Sequence, residues 1–79
     1  MGRIVMNRVY VLTEEVNDYN QHGEYFLWAF KDIPTLKEVN ACDAYFGEIN
    51  KEQYQSLIQN GCLQHLNHHE FLYLRIVEL

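Results

Sequence analysis

Cys62, His65, His68 and His69 fall within eight residues of one another. Cysteine and histidine are the usual zinc ligands, and a tetrahedral site needs four such donors at roughly 2.0–2.3 Å. Cys42 would add a thiolate from elsewhere in the chain. The spacing follows no zinc-finger pattern, in which two close ligands are matched by two more at a distance. We therefore expect no metal and no cofactor, with Cys62, His65 and His69 as the residues to watch. Cys62 beside His65 or His69 also pairs a thiol with a base. No third orienting residue, Gly-rich phosphate loop or nucleophile elbow accompanies them. A domain this small rarely holds a deep pocket as well as a core, so no enzymatic activity is expected. Cys42 and Cys62 then read as small core residues and as reduced thiols.

The second group is acidic. Glu14, Glu15, Asp18 and Glu24 lie between Arg8 and Lys31 with no base among them, and Asn17, Asn20 and Gln21 add further oxygens. The ordered acid ladder and central glycine of a calcium loop are missing. The stretch from Glu14 to Gly23 is expected to be a loop, either simply solvated or docking a Lys- and Arg-rich surface.

Positioning these groups falls to a few elements. Val9 to Thr13 is β-branched and aromatic, with strand propensity. Glu24 to Lys31 is a second strand with apolar residues on both faces: Phe26, Trp28 and Phe30 alternate with Tyr25, Leu27 and Ala29. Trp28 is expected in the core. Thr35 with Glu38 forms a capping box, and a stripe of Leu36, Val39, Cys42 or Asp43, and Phe46 predicts a helix running to Gly47. Asn50 with Gln53 caps a second helix, with Ile49 and Tyr54 as a staple. Its stripe is Tyr54, Leu57, Ile58 and Cys62, and Asn60-Gly61 ends it. Cys62 to His69 reads as irregular. Glu70 to Leu79 is a closing strand, again apolar on both sides, with Arg75 among apolar neighbours.

The order is strand, strand, helix, helix, strand (β-β-α-α-β). It predicts an α+β fold, with a three-stranded, mainly antiparallel sheet and two helices on one face. The 79 residues make one domain, 1–79, with a thin stability margin. Two helices leave the other sheet face apolar and uncovered, which marks a contact surface. The formal charge is −5, and beyond Arg8 only Lys31, Lys37, Lys51 and Arg75 oppose all eleven acids. Direct nucleic-acid binding is disfavoured, because phosphate contacts need a basic surface. No stretch is long enough to span a membrane, and the start, Met1 to Met6, does not read as a signal peptide. The expected location is the cytoplasm.

Val9 to Glu15, Asn17 to Phe26, and Pro34-Thr35 before a helix together resemble small uncharacterised proteins encoded in phage and prophage genomes. The resemblance covers roughly the first half and the closing strand from Tyr73 to Leu79. It implies a bacterial host cytoplasm as the setting. In size, charge and lack of enzymatic motifs the chain is similar to anti-CRISPR inhibitors. The expectation that follows is a non-enzymatic inhibitor that sterically blocks a basic surface of a host defence or nucleic-acid-handling protein. Glu14, Glu15, Asp18 and Glu24 would supply the electrostatics and Tyr25, Tyr73 and Arg75 the contacts. The alternatives are a structural homodimer module and a small metal-binding protein.

Overall fold

The structure, a computed structural model, describes residues 8–18 and 21–78. The start, Met1 to Met6, lies outside them, as do Tyr19 and Asn20. The elements are β1 (Arg8–Asp18), β2 (Gln21–Phe30), α1 (Leu36–Asn40), α2 (Lys51–Asn60), β3 (Cys62–Gln64) and β4 (Glu70–Glu78). The fold is α+β, with one sheet in the order β2-β1-β4-β3 and every neighbour antiparallel.

The sheet has four strands where three were expected. Gly61 takes a left-handed φ of 74° and turns the chain directly out of α2. Its carbonyl accepts the Leu74 N–H at 2.9 Å, so Cys62, Leu63 and Gln64 fall into register with Tyr73, Leu72 and Phe71. Three residues are too few to show a period, which hid this strand in the sequence.

The acidic stretch is no loop. β1 and β2 stay paired from Tyr10–Phe30 out to Asp18–Gln21. Polar side chains do not stop a strand; they only have to alternate correctly. Leu12, Glu14 and Val16 turn inward towards the helices with Leu72 and Glu70 opposite, whereas Thr13 and Glu15 lie on the other face with Tyr73 and Phe71. The pairing slips between Leu12 and Thr13, because Thr13 meets Phe26 but Leu12 meets Trp28. Leu27 is the extra residue of a β-bulge, and such a bulge re-aims its side chains.

Both capping boxes form. The Thr35 hydroxyl accepts the Glu38 N–H while the Glu38 carboxylate accepts the Thr35 N–H, and Asn50 and Gln53 do the same for α2. Each cap is worth about 1 kcal/mol to its helix. α1 is shorter than its apolar stripe predicts. It stops at Asn40, whose side chain accepts from the Ile49 N–H and donates to the Ile49 carbonyl. These two bonds close residues 41–49 into a loop, with Asp43 at φ 54° and Gly47 at φ 93°. Phe46 reaches the core from that loop, not from a helix.

The core joins Leu12 and Leu72 of the sheet to Val39, Phe46, Ile49 and Leu57. Leu27, Phe30, Leu63 and Tyr54 pack around them, and the Tyr54 hydroxyl ties α2 to the Pro34 carbonyl at 2.6 Å. Cys42 is partly buried against this cluster, but Cys62 is exposed on β3, so only one of the two cysteines serves the core. Trp28 is also no core residue: it is 59% exposed. Among the described residues no helix is long and apolar enough to cross a membrane.

Candidate partner-binding face

The helices cover one face of the sheet. On the other, β1, β2 and β4 bring together Thr13, Glu15, Glu24, Phe26, Phe71, Tyr73, Arg75 and Val77, because these residues share one parity of the strand register. Glu24 and Arg75 stand on either side of β1 and join across it. The Arg75 guanidinium donates to both Glu24 carboxylate oxygens, through Nη1 to Oε2 and through Nη2 to Oε1, the latter at 3.2 Å. Thr13 sits beneath this bridge. Its hydroxyl donates to Glu24 Oε2 at 2.7 Å and accepts from Arg75 Nη1 at 3.1 Å. The Arg75 guanidinium also lies 4.7 Å from the centre of the Tyr73 ring, within cation–π range. Tyr73 stacks on Phe71 at 6.1 Å, and its hydroxyl donates to Glu15 Oε1 at 2.7 Å.

Arg75 thus anchors a network across three strands. The bonds from Arg75 and then Thr13 hold the Glu24 carboxyl below its ordinary range, and Glu24 in turn raises the Arg75 value. The Tyr73 phenol is pushed up to about 12, chiefly by its bond to Glu15 and then by burial. Beside this polar centre Phe26 and Val77 are exposed, Phe26 to 62%, while Phe71 is half-buried. Arg and aromatic residues are enriched in the centres of contact surfaces, which makes this face the candidate.

The residues expected to bind a partner separate into two sets. Glu15, Glu24, Tyr73 and Arg75 meet on this face. Glu14 does not. It is only 6% exposed, on the helix side of the sheet, where its two carboxylate oxygens accept the Tyr45 and Phe46 N–H groups at 3.1 and 3.0 Å. A carboxylate used in this way tethers the loop after α1 and is not free to steer a partner. Tyr25 pairs with Glu14 and belongs to the helix side, though it is 46% exposed. Asp18 ends β1 opposite Gln21. Thr13 was missed by sequence reasoning, and the signal that finds it is the alternation continuing through Glu14 and Glu15 to Val16.

The Cys and His residues do not converge. Cys62 is on the open face beside Tyr73. The His65 ring packs edge-on against Phe46, 4.8 Å between centres, and its Nδ1 accepts from the Asn67 N–H. The His69 N–H donates to the Asn67 side chain, holding the turn in which His68 has φ 65°. Among the described residues no three His, Cys, Asp or Glu side chains are grouped to hold a metal ion. Burial and then Glu38 push the Cys42 thiol up, away from the thiolate a nucleophile needs. No family model, curated protein or solved structure matches the chain.

Proposed function

We propose that this protein is a small acidic binding protein, without catalytic activity, that acts by occupying a surface of another protein. One observation carries the reading. The sheet face opposite the helices holds an Arg75–Glu24–Thr13 bridge, with Phe26, Phe71, Tyr73 and Val77 around it and, among the described residues, no helix over them. Groups held in place before binding lose little freedom on binding, which favours affinity. The net charge of −5 favours approach to a basic surface such as that of a nucleic-acid-handling complex. The resemblance to phage and prophage proteins supplies the setting, in which such a protein acts as an anti-CRISPR-like inhibitor in the host cytoplasm. Inhibition is then steric and needs no chemistry.

The test is capture from bacterial host lysate on immobilised protein, comparing wild type with Phe26→Glu on the open face and with Lys51→Glu on α2. The reading expects a nucleic-acid-handling protein that is retained by wild type and Lys51→Glu, lost with Phe26→Glu, and displaced by added nucleic acid. If nothing captured responds to Phe26→Glu, the open face is not the contact surface and the reading fails.

A further inference from the structure

β2 stands at one end of the sheet, and among the described residues nothing pairs with its outer edge. Its ten residues present a row of unpaired N–H and C=O groups beside Tyr25, Phe26 and Trp28, which are all exposed. Proteins usually blunt such an edge with lysine or proline. β2 contains neither, and its only formal charge is that of Glu24. Phe26 lies on the open face and Trp28 on the helix face, so apolar surface is uncovered on both sides of one strand. A cover laid over either face reaches only half of it. A strand placed alongside reaches both.

The bulge indicates which strand. Two-fold antiparallel pairing of a regular strand with its own copy matches residues an even number of positions apart, because paired residues must share a face. In β2 the extra residue breaks that alternation. Leu27 and Trp28 both turn to the helix side, where with Phe30 they line a groove of about 410 Å³ against Glu38, Ala41 and Cys42. With the two-fold axis between Leu27 and Trp28, each Leu27 meets Trp28 of the other copy. Phe26 then meets Ala29 on the open face, and Tyr25 meets Phe30 on the helix face. One residue beyond the strand, Glu24 meets Lys31, which supplies charge complementarity at both ends. A register centred elsewhere, and long enough to use the whole strand, sets the bulge against regular strand and sends side chains to mismatched faces.

We propose that the protein pairs with a second copy of itself along β2, forming one antiparallel sheet of twice four strands, with Trp28 of each copy at the mouth of the other's groove. This goes beyond the binding role and stands without it: the open face stays uncovered and is presented twice.

Trp28 is the only tryptophan, so its emission reports on this edge. The experiment follows sedimentation velocity and tryptophan emission together over serial dilution of the wild type, Lys31→Glu and Lys37→Glu. The last two change net charge equally, but only Lys31 lies in the register. A dimer is expected whose dissociation shifts Trp28 emission to the red, weakened about tenfold by Lys31→Glu through two like-charge contacts. Lys37→Glu is expected to stay within about twofold of wild type. A monomer at every concentration overturns the proposal. So does a dimer that dissociates without moving the emission, or one that both substitutions weaken alike.

Discussion

Glu14 and Glu24 are both carboxylates in the first hairpin, and the two faces of the sheet treat them in opposite ways. Glu14 is buried among backbone groups and holds the loop after α1 through the Tyr45 and Phe46 amides. Glu24 is open to water and is held by Arg75 and Thr13 across three strands. On the helix face Glu14 satisfies two backbone N–H groups that would otherwise need another acceptor. The open face spends its acids on side chains, which fixes a surface without covering it. One face closes on the helices, and the other carries a bridged polar network that is partly open to water.

The comparison breaks first at Glu14. Glu14→Gln removes one acceptor oxygen and turns an amide N–H₂ towards a backbone donor. Hydrogen bonds to charged groups contribute about 1.5–3 kcal/mol, and a stranded buried donor costs a similar amount. The expected loss is about 2–4 kcal/mol, read by urea unfolding, with a fall in Tm on the order of 10–20 °C for a domain of this size. Glu15→Gln, one residue along but on the open face, is expected to cost under about 1 kcal/mol. Equal losses in the two variants would mean that the faces do not differ as described.

That neighbouring glutamates do such different work explains what the sequence could and could not show. The capping pairs Thr35–Glu38 and Asn50–Gln53, and the stop at Gly61, are local in sequence and were legible as they stand. The two-sided apolar character of β2 and β4 was legible too, because alternation needs no knowledge of partners. The run Glu14 to Asp18 was misread because composition suggests a loop, while the backbone responds to pairing with β2 and β4. The fate of Trp28 depends on a bulge, and a bulge exists only relative to the strand opposite. The His and Cys residues looked like a group along the chain, but β3 sets Cys62 on one face while His65 packs on the other against Phe46. The open-face network was only partly legible: Arg75 stood out among apolar neighbours in the closing strand, whereas Thr13 gains its place only when three strands align.

A smaller effect tests the open face itself. Glu24→Gln and Arg75→Ala, singly and together, form a double-mutant cycle across β1. The pair is partly exposed, with side chains 39% and 48% accessible, so water screens it and the coupling is expected at about 0.5–1 kcal/mol, shrinking with salt. The pH dependence follows from Glu24. Its folded value lies below the ordinary 4.5, so its contribution is present above that value and is lost as pH falls through the folded value. The acid limb of stability should therefore move in Arg75→Ala. A cycle with no coupling at low salt would mean that the bridge does not fix this face.

An effect of similar size comes from Tyr73, and its pH dependence has the opposite sign. A phenol whose value rises from 10 to about 12 on folding contributes stability that is complete below pH 10 and is lost as pH climbs through about 12. At neutral pH, Tyr73→Phe removes one side-chain hydrogen bond on a partly open face, and should cost about 0.5–1 kcal/mol. The difference between the tyrosinate absorbance titrations of wild type and Tyr73→Phe isolates this phenol, with an expected midpoint near 12. Because the bond to Glu15 is the largest cause of the rise, Glu15→Gln should bring that midpoint down towards 10, while Glu14→Gln, on the other face, should leave it in place. A midpoint that follows Glu14 and ignores Glu15 would place the phenol in the wrong network and remove the distinction between the two faces at its most local point.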